Sequence, residues 1–292
     1  MRWKAVEEID DALNQTRELL FPFKLGLWIK LTFLTFITGS GLSTAFIQTP
    51  LRLNVQTQQN MIYSSFPNLN NLILAATGVI MSLSLLFMLI NSIAEFALFK
   101  TLLTKKSKLW DYFRQNVGRG LRYMAYRLVV LFLALLASAS SILVFSINPL
   151  IGVLSLILLA PLFVILAVSD VLIRDFVLLE MLENEQNFIK SIESIYEGFR
   201  PQWKELMAYL VVRLVLTIAI AVGVSMAVLF TGLMFAVFGL VLLVLMEFSL
   251  IFVLPLIGLT IVATTLIIII AMPFQAYLYN YKIESYKALK DR

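Results

Sequence analysis

Four ionisable residues of this sequence stand where a charge is costly. Glu95, Asp170, Arg174 and Asp175 each follow a long apolar run, in the contexts "LINSIAEFALF" and "LAVSDVLIRDFVLL". A fifth, Glu247, sits in "VLLVLMEFSLIFVLP" with no Lys or Arg within twenty positions on either side. A charge at the centre of a bilayer costs roughly 2.5–3.5 kcal/mol on insertion scales, so such residues pair or line a wet cavity. Two chemistries fit. One is a cation- or proton-responsive site on a transport path. The other is a set of ion pairs at the membrane boundary, for which partners are at hand. Arg174 follows Asp170 by one helical turn and can pair with it, and Lys30, Arg127 and Arg213 each precede a Leu where an apolar run begins. Paired-carboxylate catalysis fits poorly, because Asp170 and Asp175 are five apart at the mouth of one helix. At depth Glu247 must be protonated or paired across helices, whereas at the outer tip of a hairpin it is merely solvated.

These residues are positioned by a chain that is 60% hydrophobic and only 14% charged over 292 residues, against roughly 25% charged in soluble domains. Leu128–Phe145, Leu150–Val168 and Leu214–Met246 carry no charge at all. About 20 apolar residues at 1.5 Å rise cross a hydrocarbon core of about 30 Å, so the composition predicts an integral membrane protein. The chain has no Cys and no His. That removes disulfides, thiolate chemistry, the usual zinc ligands and the commonest general base. No cofactor, metal site or catalytic residue is expected. The first 25 residues are charged and amphipathic, which predicts no cleaved leader. Asn14–Gln15–Thr16 matches a glycosylation sequon, but it falls on the side expected to face the cytoplasm.

Lysine and arginine concentrate on the cytoplasmic side of membrane proteins. They cluster here in segments 1–30, 100–127, 174–213 and the tail after 281, while Arg52 alone lies in the loop 49–70. Both termini are therefore expected in the cytoplasm, and the number of crossings is expected to be even. Spans are predicted near 27–48, 72–99, 125–146 and 150–175, with a turn at Asn148–Pro149. Two more are predicted within 206–278, with an apolar outer hairpin or a re-entrant piece around Gly232–Gly239. The expected fold is an all-α integral membrane protein of six transmembrane helices in three hairpins. Each hairpin follows a cytoplasmic amphipathic elbow helix, within one membrane domain of residues 1–292.

The stretch "LWDYFRQNVGRGLRYMAYRL" has counterparts in "ALNQTRELLFPFKLGLWIKL" and "SIESIYEGFRPQWKELMAYLVVRL". Each reads as an amphipathic helix, a Gly or Pro elbow, an aromatic stretch, then a base followed by Leu. The elbows are Pro22 with Gly26, Gly118 with Gly120, and Gly198 with Pro201. Apolar stripes run along Val6, Ile9, Leu13 and Leu20; along Leu109, Trp110, Phe113 and Val117; and along Phe188, Ile189, Ile192, Ile195, Tyr196 and Phe199. The even spans end alike at Glu95–Phe96, Asp175–Phe176 and Pro273–Phe274. Pseudo-repeats 1–99, 100–176 and 177–292 follow. Basic, aromatic helices of this kind lie in the membrane interface. A nucleic-acid patch needs a soluble domain, and "GRG" lacks the strand–loop–helix setting of a phosphate loop. Ala134, Ala137, Ser138 and Ser141 form a small-residue packing face, and Asn91 and Ser92 are placed to hydrogen-bond across helices.

The segments "LFKTLLTKKSKLWDYFRQNVGRGLRYMAYRL" and "DFVLLEMLENEQNFIKSIESIYEGFRPQWKELMAYLVVRLVL" resemble an archaeal family of uncharacterised multi-pass membrane proteins, as does the opening "AVEEIDDALNQTRELLFPFKLGLWIKL". The resemblance covers most of the chain and implies an archaeal cell-membrane protein without assigned activity. The layout is similar, more loosely, to the membrane domain attached to some glycerophosphodiester phosphodiesterases. Without the phosphodiesterase barrel, that activity does not carry over. The expected function is non-enzymatic: organising lipid or a partner complex through the interfacial helices, with membrane lipids, a protein partner or a homo-oligomer as partners and no nucleic acid. The alternative is a transporter or channel whose path is lined by Glu95, Asp175 and Glu247.

Overall fold

A computed structural model describes residues 4–38, 69–106, 108–245 and 253–290. Nearly all of them are helical, and no strand occurs among the described residues. The chain runs through α1 (Lys4–Leu20), α2 (Leu25–Ile37), α3 (Leu69–Thr104), α4 (Leu109–Gln115), α5 (Val117–Ile147) and α6 (Pro149–Leu172). A π-helical turn (Ile173–Val177) leads into α7 (Leu178–Glu183). It is followed by α8 (Phe188–Phe199), a 3-10 turn at Arg200–Gln202, α9 (Trp203–Leu245) and α10 (Val253–Lys290).

Among the described residues, five stretches are long and apolar enough to cross a membrane: Met81–Thr104, Val117–Ile147, Pro149–Glu183, Phe188–Val241 and Ile257–Lys290. The protein is thus a multi-pass membrane protein by length and composition. α2 is apolar but shorter, and the rest of the span expected at 27–48 lies outside the described residues.

The helices divide into two zones. Their most apolar stretches, such as 128–145 of α5 and 214–241 of α9, are largely exposed all round. That distribution fits a hydrocarbon solvent, since a helix hydrophobic on every face needs an apolar environment. The other zone is a packed head, where α1, α2, α4, the π-helical turn, α7, α8 and the charged ends of α3, α5, α9 and α10 bury one aromatic-rich core. Phe96, Phe99, Phe176, Tyr123, Tyr209 and Tyr281 are its largest buried rings. At 43 residues, α9 is about 64 Å long at 1.5 Å per residue. It therefore runs well beyond one hydrocarbon core of about 30 Å and into the head.

Local chemistry explains several joints. Asn148 accepts hydrogen bonds from the amides of Leu150 and Ile151, and Pro149 takes the first helical position, so the α5–α6 turn is capped as such turns prefer. Just past it, a Cβ on Gly152 would stand 2.5 Å from Phe145 Cα, and only glycine permits that close a hairpin. The bend between α4 and α5 falls at Asn116 (φ −104°, ψ 9°), whose side chain donates to the Tyr112 carbonyl at 2.7 Å. Gly118 and Gly120, expected as that elbow, instead lie inside continuous α5. Gly120 is a packing glycine: a Cβ there would meet Ile93 Cγ1 at 2.5 Å.

Other expectations are corrected. α9 passes straight through Gly232 and Gly239, so no re-entrant piece forms there. None of α3, α6 or α10 ends at its acid–Phe or Pro–Phe pair, and each path stays helical for further turns. On α1 the buried face is Ala5, Ala12, Thr16, Leu19 and Leu20, whereas Val6 and Leu13 of the expected stripe are exposed. Trp110, Ile189 and Tyr196 likewise face outward, leaving Tyr112, Ser191 and Phe199 inside.

Candidate functional site

The head is built around a row of buried charges, and the π-helical turn sets its middle. Such turns insert an extra residue into a helix and often mark functional positions. Here the turn presents the neighbours Arg174 and Asp175 to two different helices. Arg174 Nη2 reaches Glu95 Oε1 on α3 at 2.6 Å. Asp175 Oδ1 pairs with Lys282 Nζ on α10 at 2.8 Å and takes a longer contact from Arg213 Nη2 at 3.4 Å. Arg213 Nε and Asp175 Oδ2 are also in close ionic contact, and the Tyr209 hydroxyl donates to Asp175 Oδ2 at 2.9 Å. Glu95, Asp175 and Lys282 are 1%, 0% and 2% exposed.

The partners follow an order along the chain. The acid of α3 pairs with the base of the α6 path, and the acid of the α6 path pairs with the base of α10. Bases at the starts of the α5 and α9 stems reach back past the short helices to α3 and to the π-helical turn after α6. Arg213 goes to Asp175, and Arg127 Nη1 donates to Asn91 Oδ1 at 2.8 Å. Asn91 in turn donates to the Ile37 carbonyl at 2.9 Å, which ties α2 to α3. Aromatic rings close round this row. Phe99 meets Tyr279 edge-on with centroids 5.0 Å apart, Phe96 meets Tyr123 at 6.3 Å, and Lys282 Nζ lies 4.3 Å from the Tyr279 ring centroid.

Asp175 and Glu95 differ in how fully they are satisfied. Asp175 has hydrogen-bond or ionic partners on both oxygens. Glu95 has its ionic contact with Arg174, but neither of its oxygens receives a well-aligned hydrogen bond among the described residues. Asp170 is half-buried beside Arg174 and Arg127, yet Arg174 makes its ion pair with Glu95 instead. Lys30 is half-buried on α2 and lines a cleft with Lys108 and Asp111. Glu247 lies outside the described residues.

A second cluster pins the end of α10. Glu180 accepts from Ser194 at 2.9 Å and from Lys290 at 3.2 Å, and it is also bonded to Tyr286 and Asn184. Glu183 takes Tyr286 and Lys290, each at 2.8 Å. On α1, Thr16 Oγ1 accepts from Asn280 at 2.8 Å, and the Ala5 carbonyl accepts from Tyr281 at 3.1 Å. α1 and the last turns of α10 are therefore built into the head.

Lys282, Tyr209 and Glu180 are members of these networks that sequence reasoning passed over. A signal for Lys282 existed. It stands on a stripe of Leu278, Tyr281, Ser285 and Leu289 that is otherwise buried and uncharged, at helical spacing, so a solvated tail is the wrong setting for it. Among the described residues, no group of three or more Asp or Glu is placed to hold a metal ion. Neither a curated protein nor a solved structure matches the chain. A family profile does match, over residues 3–292, described as a family of unknown function, DUF7544. That match spans the α1-to-α10 closure and both charge clusters, and the chain belongs to this family.

Proposed function

We propose that the chain is a non-enzymatic cell-membrane protein that organises lipid or a partner complex at the cytoplasmic face. In this reading the head is a charge-locked platform on that face, and the apolar stems form three hairpins. α1, α4 and α8 are its interfacial elbows, their outward residues Trp110, Ile189 and Tyr196 meeting lipid or partner. The carrying observation is that the buried charges are held in ion pairs with one another while apolar and aromatic side chains on the short helices point outward. Interfacial helices bind through such apolar faces, assisted by basic residues. The threefold repeat belongs to the same reading, and two of its odd spans each send an arginine back to the even span before, Arg127 to Asn91 and Arg213 to Asp175, although these two partners are not at equivalent positions. Similarity to archaeal membrane families and to the phosphodiesterase-associated layout belongs to the same reading.

The transporter reading loses Glu95 and Asp175 to ion pairs, while its third acid, Glu247, lies outside the described residues; among those described, half-buried Asp170 is the acid it can turn to. Reconstitution tests both. Single Cys residues at 189 and 196, labelled with an environment-sensitive fluorophore, are expected to emit at shorter wavelength in liposomes and to be quenched by spin-labelled lipid. Ion flux into proteoliposomes that disappears in Asp170→Asn would overturn the proposal in favour of transport.

A further inference from the structure

The cleft between α2 and α4 combines charge and grease in an order that matches one kind of ligand. Its volume is about 410 Å³, and Lys30, Lys108 and Asp111 line it together with Ile29, Phe33 and Trp110. Two ammonium groups and one carboxylate leave one net positive charge. Ile29 and Phe33 also form a wall of a second, apolar groove of about 630 Å³ that runs between α2 and the α10 stem. That groove reaches Phe36, Thr264 and Ile268 and is lined by no charged residue. A polar mouth with one net positive charge thus continues past a shared wall into an uncharged trough, at the end of α2 where its apolar run begins.

We infer that this cleft is a binding site for a single anionic phospholipid. The phosphodiester sits between the Lys30 and Lys108 ammonium groups. One acyl chain follows Ile29 and Phe33 into the groove, and Trp110 covers the glycerol region, where amphipathic rings prefer to sit. A single phosphodiester carries one negative charge, which the cleft's net charge matches, and Asp111 penalises headgroups that bring extra negative charge. The inference deepens the lipid half of the proposed function and rests on it: α4 must lie at the membrane surface.

The test uses the full chain in vesicles, with Trp3, Trp28 and Trp203 replaced by Phe so that Trp110 is the only indole. Brominated phosphatidylglycerol and brominated phosphatidylcholine are added separately at equal low mole fraction, and the ratio of their quenching reports selectivity at the cleft. Each ammonium group hydrogen-bonded to the phosphodiester contributes about 1.5 kcal/mol, roughly tenfold. The K30Q/K108Q variant is therefore expected to lose well over tenfold in anionic preference, and D111N to gain a few-fold. The variant K106Q/R114Q removes the same charge from exposed positions outside the cleft, and it is expected to change the ratio by less than twofold. Circular dichroism confirms that each variant keeps its helices. Equal losses in the two double variants would overturn the site while leaving a generally basic surface. No quenching of Trp110 by either lipid would overturn the interfacial placement of α4 itself, and with it the broader reading.

Discussion

Asp175 takes a hydrogen bond from Tyr209 and ionic contacts from Arg213 and Lys282, so one carboxylate holds two cations in the interior. Removing its charge strands both. Breaking a buried pair from one side costs about 3–5 kcal/mol, and Asp175→Asn is expected to fall in that range in thermal unfolding followed in one detergent. Lys282→Met is expected to cost less, because it removes a buried charge outright and leaves Asp175 with Arg213 and Tyr209. Glu95→Gln is also expected to cost less, since its partner Arg174 is 31% exposed and less fully desolvated. A result in which Lys282→Met is the most damaging of the three would show that the lysine, and not the acid, organises the row. The acids were legible in the sequence because each interrupts or ends an apolar run. Their partners were only partly so. Arg213 stood at a membrane boundary and was recognisable, but Arg174 turned to Glu95 and away from Asp170. Side chains one turn apart on a helix are close enough to pair, yet the π-helical turn and the neighbouring α3 offer Arg174 a more deeply buried partner.

α3 and α5 cross where glycine leaves no side chain between them. A Cβ on Gly120 would lie 2.5 Å from Ile93 Cγ1 and 3.0 Å from Ile93 Cα, while one on Gly118 would meet nothing within 4 Å. The two glycines are two residues apart in the same helix, so alanine at each separates packing from propensity. Gly118→Ala is expected to stabilise by up to about 1 kcal/mol, the helix-propensity difference. Gly120→Ala is expected to destabilise by about 1–3 kcal/mol, as overpacking does. Ile93→Ala in the same chain should recover part of that loss by yielding the space Cγ1 occupies, though not the part due to the backbone. Equal effects at 118 and 120 would show that the helices part freely at this crossing. Joints written in local chemistry could be read from sequence: Asn148–Pro149 caps and starts α6 as its residue types require. The glycines misled for a physical reason. Glycine permits a bend but does not impose one, and within a packed or lipid-facing helix the backbone hydrogen bonds keep it straight, as at Gly120, Gly232 and Gly239.

The molecule as a whole is a packed head carrying stems that pair, α5 with α6 and α9 with α10, yet leave much of their apolar surface exposed. α1 and the basic half of α10 pack together and share the Thr16–Asn280 and Ala5–Tyr281 hydrogen bonds, so both are part of the head. Arg127 stands on the head side of α5, and from Leu128 to Ile147 the helix carries no charge. Those twenty residues rise about 30 Å, one hydrocarbon thickness. Ile147, 84% exposed at the α5–α6 turn, is then expected on the face opposite the head. Because the chain has no Cys, single Cys residues at 147 and at the exposed ends Glu7 and Lys287 give an unambiguous test in intact cells. With the head in the cytoplasm, a membrane-impermeant thiol reagent is expected to label position 147 in whole cells and positions 7 and 287 only after lysis. The reverse pattern would keep the architecture and invert it, placing the basic head outside against the charge rule. Labelling of all three from one side would mean that the α5–α6 hairpin does not cross, and that the uncharged stems find their apolar surroundings in other copies of the protein and not in lipid.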